Sequence, residues 1–203
     1  NEGDVLVANF LVAPTDLSGK SLAIQLTERN GATLSAPGYG KKIEKGKAYR
    51  FESGEMNEIP YLTFTAGAEQ TLTMSNAVET LEYSVDNGAW QTLGTNTVTF
   101  GGAKGNLRLR GKSSMGTANS ITDSFYSNIY FGNDAKVACS GDIRTLVDYE
   151  NYKATNTKNA RFCRLFEGCS SLTSAPSLPA TTLARECYRY MFSGCSSLTS
   201  APS

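Results

Sequence analysis

The chain contains no histidine. That removes the Ser-His-Asp and Cys-His arrangements of nucleophilic catalysis and nearly all catalytic zinc sites, which rely on imidazole. It also has no excess of either charge. Its 19 basic and 19 acidic residues cancel, so electrostatics calls for neither nucleic acid nor an anionic membrane as a partner. No apolar run approaches the roughly 18 residues of a membrane-spanning helix. The opening NEGDVLVANFLVA starts acidic and lacks the basic segment of a secretory leader, so export of this protein implies a leader removed ahead of Asn1. There is no C-x-x-C pair and no D-x-D-x-D-G loop, which leaves zinc and calcium without their usual ligand spacing. No cofactor and no metal site is expected.

What is present first is alternation. Leu22, Ile24 and Leu26 alternate with polar or small neighbours, as do Leu62 with Phe64 and Leu107 with Leu109, in the manner of half-buried strands. Tyr49 with Phe51, Leu72 with Met74, Leu81 with Tyr83 and Val98 with Phe100 follow the same rule. Turn signals separate them at Asn30–Gly31, Asp86–Gly88, Gly101–Gly102 and Gly132–Asp134. Many short strands with Gly-rich turns predict β-sandwich architecture. The stretch SGEMNEIP (53–60) interrupts the series at Pro60 and divides it into two β units, 1–58 and 60–139. A long loop is expected over GKSSMGTANSITDS (111–124), the kind of segment on which binding residues tend to sit.

Carboxylate chemistry needs only two acids, but Asp86, Asp123, Asp134 and Glu150 are scattered through turns and strand ends. The chain therefore reads as non-enzymatic, with no catalytic residue assigned. SVDNGAW (84–90) resembles the Asp-box of sialidases, one residue short before Trp90. That motif is a turn-stabilising device, so it predicts a hairpin held by the Asp86 side chain bonding backbone amides. Trp90, the one tryptophan, reads as a core or hairpin-flank aromatic, with a sugar-stacking platform as the alternative.

The tail repeats itself. FEGCSSLTSAPS from Phe166 and FSGCSSLTSAPS from Phe192 differ only at Glu167 and Ser193, 26 positions apart. Upstream, Ala154, Thr155, Phe162 and Leu165 fall in register with Ala180, Thr181, Tyr188 and Met191, and the frame steps from Leu198 to Leu172 to Leu146. Fixed-period self-similarity marks units that cannot bury an apolar side alone and must stack on neighbours. We expect a solenoid over 140–203 with a degenerate first turn, its third turn barely begun by Ser203. Two turns and a fragment fall short of the roughly three units that stability usually requires, so the favoured expectation is a truncated array whose repeats continue past Ser203, the alternative being that the preceding β module acts as a cap. Leu183, Cys187 and Tyr190 or Met191, spaced by three and four, predict a short helix in each unit, and Pro176 and Pro179 keep the preceding stretch extended.

Five cysteines, Cys139, Cys163, Cys169, Cys187 and Cys195, are an odd number for a disulfide framework. Cys169 and Cys195 hold the same place in successive units. Stacked strands lie roughly 4.7–4.9 Å apart, more than the roughly 3.5–4.5 Å between Cβ atoms of a disulfide. Buried thiols acting as small hydrophobes are therefore favoured. A zinc site built from Cys163, Cys169, Cys187 and Cys195 lacks the spacing.

The run F-x-G-C-S-S-L-T-S-A-P-S-L-P-A-T-T-L-A-x-x-C-Y-x-x-M-F-x-G-C-S-S-L resembles the BspA-like leucine-rich repeats of Bacteroides-type bacterial surface proteins over residues 162–203. Residues 60–139 are similar in layout to the small all-β module that often precedes those repeats. FLVAPTDLSGKSLAIQLTERNGATLSAP and IEKGKAYRFESGE resemble the closing segment of fimbrillin-like pilus and surface-anchored domains. The resemblance implies an exported, cell-surface protein, outer-membrane anchored after leader removal, with an adhesive or binding role.

The expected architecture is thus mainly β: two β-sandwich-like units followed by the start of a leucine-rich-repeat (α/β) solenoid. The expected function is binding of a protein or glycan ligand at the cell surface. Positions that vary between copies, Arg185, Glu186, Arg189 and Tyr190, are the candidate contacts together with Trp90; the competing reading of the first four is a solvated helix face. Alternatives are a structural subunit of a pilus or envelope complex, completed by a neighbour's strand, and a glycan-binding accessory lipoprotein of a nutrient-uptake system.

Overall fold

The computed structural model describes residues 21–27, 33–39, 49–52, 55–77, 80–113, 117, 126–157 and 162–202. The expected turn at Asn30–Gly31, and most of the loop 111–124 with Asp123, lie outside the described residues. The chain divides into two compact units, Asn1–Ile59 and Pro60–Ser203. In the first, β1 (Ser21–Thr27) pairs antiparallel with β2 (Thr33–Tyr39), and β3 (Tyr49–Glu52) with β4 (Glu55–Glu58).

The second unit is mainly β. One sheet has six strands in the order β13-β12-β5-β10-β7-β8, and a second has three in the order β11-β6-β9. These are β5 (Leu62–Ala66), β6 (Gln70–Ser75), β7 (Glu82–Val85), β8 (Gln91–Thr92), β9 (Val98–Phe100), β10 (Leu107–Arg110), β11 (Asn128–Phe131), β12 (Val137–Ser140) and β13 (Leu172–Ser174). All pairings are antiparallel except β12 with β13. Period-two alternation sets the inner faces. Leu107 lies opposite Phe64 and Leu109 opposite Leu62, while Cys139 lies opposite Phe64 on the other side. Leu72, Met74, Val98, Phe100 and Ile129 close the core from the smaller sheet. Phe64 is central, with its ring centroid 5.7 Å from Phe131, 6.3 Å from Phe166 and 6.5 Å from Phe100.

A buried polar side chain ties this sandwich together. Gln70 is fully buried, and its Nε2 donates to the carbonyls of Asn133 (2.6 Å) and Ala135 (2.8 Å). Its Oε1 accepts from the N–H groups of Thr71 (2.8 Å) and Asn133 (2.7 Å). The connection between β11 and β12 is therefore anchored on β6 by a side chain whose donors and acceptor are all used.

The stretches 60–139 and 140–203, read separately in the sequence, share one core. Leu165, Phe166, Cys169, Leu172, Met191 and Cys195 belong to the same buried cluster as Leu62 and Phe64. β13 extends the sandwich sheet from β12, and the bridge Asp142↔Ser177 continues the parallel pairing. Gly141 makes the intervening turn possible: its φ is +92°, and a Cβ there would lie 2.1 Å from the Tyr61 carbonyl oxygen.

Three local expectations are corrected. The strand neighbour of Leu172 is Val137 and not Leu146, which lies in a short helix α1 (Thr145–Asp148) packed on β10. The sandwich strand already supplies the ladder that a degenerate first turn would have provided. The helix expected from Leu183, Cys187 and Tyr190 or Met191 is a chain of turns, and Leu183 is 62% exposed. Glu186, Tyr190 and Gly194 have φ of +58°, +53° and +76°, and one left-handed residue in every four ends each helical turn as it forms. Finally, Asp86 and Asn87 both have positive φ, as a two-residue hairpin turn requires. That turn is closed by the Gly88 N–H donating to the Val85 carbonyl (2.9 Å) and the Ser84 hydroxyl to that of Gly88 (2.8 Å). The Asp86 side chain packs on Gly105.

Candidate functional site: the exposed face of the repeat copies

The two repeat copies are held together by an alternation of backbone donors. The N–H groups of Phe162, Arg164, Phe166 and Gly168 donate to the carbonyls of Cys187, Arg189, Met191 and Ser193 at 2.8, 2.9, 3.0 and 2.7 Å. The N–H groups between them, of Leu165, Glu167 and Cys169, donate three residues back within their own copy. The second copy repeats these internal bonds at Cys187, Arg189, Met191, Ser193 and Cys195. Rings reinforce the register: Phe162 stacks on Tyr188 at 5.9 Å and Phe166 on Phe192 at 5.5 Å, the latter pair tilted by only 4°.

The sandwich caps the other side of the first copy. Asn128 Nδ2 donates to the carbonyls of Arg164 (2.7 Å) and Glu167 (3.0 Å), and the Ile129 N–H donates to that of Leu165 (2.8 Å). All five cysteines are free and buried. The Cys169 thiol donates to the Ile129 carbonyl (3.1 Å) and the Cys195 thiol to that of Phe166 (3.0 Å), so the equivalent cysteines each bond to the layer before. Burial pushes the Cys169 thiol up to about 12.

On this frame Arg185, Glu186, Arg189 and Tyr190 come together. Glu186 carboxylate oxygens lie 3.3 Å from Arg189 Nη1 and 3.5 Å from Arg185 Nε, and the Arg189 guanidinium sits 4.9 Å from the Tyr190 ring centroid. Tyr190 is 49% exposed. The structure adds three residues that the sequence reading missed. Arg164 lies 5.0 Å from the Tyr126 ring and 5.1 Å from the Tyr190 ring, and pairs with Glu167 at 3.3 Å. The signal was available, because Arg164 stands 26 residues before Tyr190; in the structure the two also share left-handed backbone, with φ of +56° and +53°. The face is an alternation of tyrosines and guanidiniums with carboxylates at its margin. Such a surface offers ring faces, charged donors and acceptors.

Trp90 is placed in a different cluster, on the outer face of the six-stranded sheet. Its ring meets Tyr61 edge-on at 4.9 Å, and the guanidiniums of Arg110 and Arg108 lie 4.2 and 5.2 Å from its centroid. Arg110 also lies 4.3 Å from the Tyr149 ring and bonds Glu82 at 2.8 Å. Lys112 approaches Tyr149 from beyond and pairs with Asp148 (3.4 Å) and Glu150. Each cation of this group has a ring or an acid beside it, Trp90 is half-buried, and burial raises the Tyr61 phenol above its ordinary value. Packing, rather than an open sugar platform, is what these contacts provide.

Among the described residues no group of three or more histidine, cysteine, aspartate or glutamate side chains is arranged to hold a metal ion, and no helix is long and apolar enough to cross a membrane. Comparison with protein-family models, with curated proteins and with solved structures gives no match to the chain.

Proposed function

We propose that the protein is a non-enzymatic cell-surface binding protein of the BspA-like leucine-rich-repeat kind, holding a protein or glycan ligand on the exposed face of its repeat copies. The observation that carries this reading is the cluster of Arg164, Arg185, Glu186, Arg189 and Tyr190, in which Arg164, Glu186 and Tyr190 are all held in left-handed backbone. Such conformations cost of order 1–3 kcal/mol each in a non-glycine residue and persist where the surroundings over-determine them. Here backbone bonds to and within the second copy supply that constraint, so the side chains sit on a rigid frame. Rigid aromatic and arginine anchors lose little entropy on binding and dominate interface energetics. The test is binding of the chain to a glycan array and to a panel of extracellular host and bacterial surface proteins. A ligand found there should lose at least about tenfold in affinity to the double variant Arg189→Ala, Tyr190→Ala, equivalent to about 1.4 kcal/mol. Undiminished binding by that variant sinks the reading.

A second reading, a structural subunit of a pilus or outer-membrane complex, is supported by the amino-terminal unit. Its described strands form two-stranded sheets. Two-stranded ribbons are marginal alone and gain from an added strand. Crosslinking of the chain in intact envelopes tests it: adducts mapping to β1–β4 favour assembly, and adducts mapping to Arg185–Tyr190 favour ligand capture.

A further inference from the structure

The two sheets of the sandwich differ in what they turn outward. The strands of the small sheet, QTLTMS in β6, VTF in β9 and NIYF in β11, contain no aspartate, glutamate, lysine or arginine. Alternation sends Leu72, Met74, Val98, Phe100 and Ile129 into the core, which leaves Thr71, Thr73, Ser75, Thr99 and Tyr130 on the outer side. The register sets these in rows across the strands. Tyr130 lies opposite Thr73, whose Oγ1 is 3.0 Å from Thr97 Oγ1, and Thr71 lies opposite Thr99. Beyond Tyr130, Gly132 donates its N–H to the Thr71 carbonyl (3.2 Å) and leaves the ground beside the ring bare. Tyr130 itself is 53% exposed. On the large sheet, by contrast, Arg108, Arg110 and Glu82 are packed among Trp90, Tyr61 and Tyr149. Soluble surfaces usually carry charge on roughly a quarter to a third of their residues, and exposed sheets use it to discourage pairing with other chains. The small sheet does without it.

We propose that the outer face of the small sheet is a second arm of the ligand surface, and that the ligand is an uncharged glycan chain long enough to lie across both arms. This rests on the reading of the repeat face as a ligand site. The two arms are continuous through β11. Asn128, on the same side of that strand as Tyr130, donates to the Arg164 and Glu167 carbonyls, and the Arg164 guanidinium lies 5.0 Å from the Tyr126 ring. The join is made between the sandwich and the first copy, and owes nothing to the outer edge of the second.

The chemistry of the sheet arm selects the occupant. Sugar hydroxyls need partners that both donate and accept, and each serine or threonine hydroxyl does both. In the Thr73–Thr97 pair one hydroxyl donates to the other, so the accepting group keeps its own hydrogen for a ligand oxygen. The exposed Tyr130 ring offers an apolar face with a polar tip to the C–H side of a sugar ring. A protein partner would need large apolar or arginine anchors seated in desolvated pockets, and a single ring on a surface of hydroxyls supplies none. An anionic chain would find no cation on these strands.

The experiment titrates the full chain with dextran, xylan and galactomannan fragments graded in length, and with polygalacturonate as the charged counterpart. Affinity for at least one neutral glycan should rise by about tenfold or more from short to long fragments. Tyr130→Ala should remove that rise and Thr73→Val should reduce it, whereas Thr65→Val, on the large sheet, should leave it in place. The double variant Arg189→Ala, Tyr190→Ala should lower affinity at every length. A length dependence that is flat, or that survives Tyr130→Ala, overturns the sheet arm and leaves the repeat face standing. A rise that depends on Tyr130 but is untouched by the double variant overturns the two-armed site and the repeat-face reading with it. Absence of binding to every neutral fragment, preference for polygalacturonate, or shielding of Tyr130 from hydroxyl-radical footprinting in the free chain each overturns the proposal as well.

Discussion

The sandwich and the repeat copies meet the same requirement, that buried backbone groups be bonded, in opposite ways. In the sandwich, N–H groups go to flanking strands and side chains alternate in and out with period two. In the repeats, every second N–H turns back three residues and the others cross to the neighbouring copy, with one left-handed residue in every four. A strand at the centre of a sheet has both neighbours supplied by the sandwich itself. A repeat copy gives half its donors to the next copy and leans on a cap behind it. The comparison teaches that a repeat copy does not satisfy its backbone donors and carbonyls by itself, and that the sandwich satisfies the first copy from behind through Asn128 and Ile129.

The strongest way to break that dependence is at Phe64, whose ring touches Phe100 and Phe131 of the smaller sheet and Phe166 of the first copy. Phe64→Ala should cost about 3–5 kcal/mol. Denaturant unfolding followed by Trp90 fluorescence and by exchange at the Phe166 amide should still give one coincident transition, shifted by that amount. Separate transitions for the two probes would mean that the regions fold independently.

The next effect is a pH slope that belongs to the layer where they meet. Burial pushes Cys169 and Tyr188 up to about 12, and raises Cys139 and Cys195 as well. The unfolded thiols lose their protons near 9.0 and the unfolded phenol near 10.0. Above those values the unfolded chain binds fewer protons than the folded one, so stability falls as pH rises. Stability from these groups should be intact below about pH 9 and should be lost progressively up to about pH 12. A urea midpoint that holds level through this window contradicts the burial of the thiols.

A smaller and more local effect is expected at the cap. Asn128→Ala removes both bonds to the Arg164 and Glu167 carbonyls and should cost about 1–3 kcal/mol. Exchange should quicken at Glu167 and Cys169, inside the first copy, before it quickens at Leu107 or Leu109. Equal quickening in both regions would show that Asn128 serves the sheet and not the repeat.

What was legible in the sequence follows the same division. Period-two alternation located Leu62–Phe64, Leu72–Met74, Val98–Phe100 and Leu107–Leu109 as strands, because each faces one core across one sheet. Identity at 26 residues exposed the pairing of Phe166 with Phe192, since equivalent residues meet directly. The local form of the repeat was misread because spacings of three and four suit a helix and a series of four-residue turns alike. Only the backbone sign at Glu186 and Tyr190 separates them, and neither residue type advertises a left-handed conformation. Asn128 and Gln70 were invisible for a different reason: each acts on carbonyls far away in sequence. At the candidate site, Arg189 and Tyr190 were found as positions that vary between copies. Arg164 was missed because it was judged within its own copy and not against its equivalent in the next.

The smallest prediction sharpens the comparison by its sign. Tyr190 is exposed and left-handed (φ +53°), whereas Tyr130 on β11 is exposed and extended. At Tyr130, glycine should be less stable than alanine by about 0.5–1 kcal/mol, because glycine loses more backbone freedom on entering a strand. At Tyr190 the order should reverse, since alanine keeps the left-handed strain that glycine relieves, an advantage to glycine of about 1 kcal/mol. Both substitutions at Tyr190 remove the ring beside Arg164 and Arg189, so on the proposed function both should lower ligand affinity equally. Urea midpoints for the four single variants decide the matter. Alanine more stable than glycine at both positions would mean that residue 190 does not carry the left-handed step, and the four-residue turn frame of the repeat would fall with it.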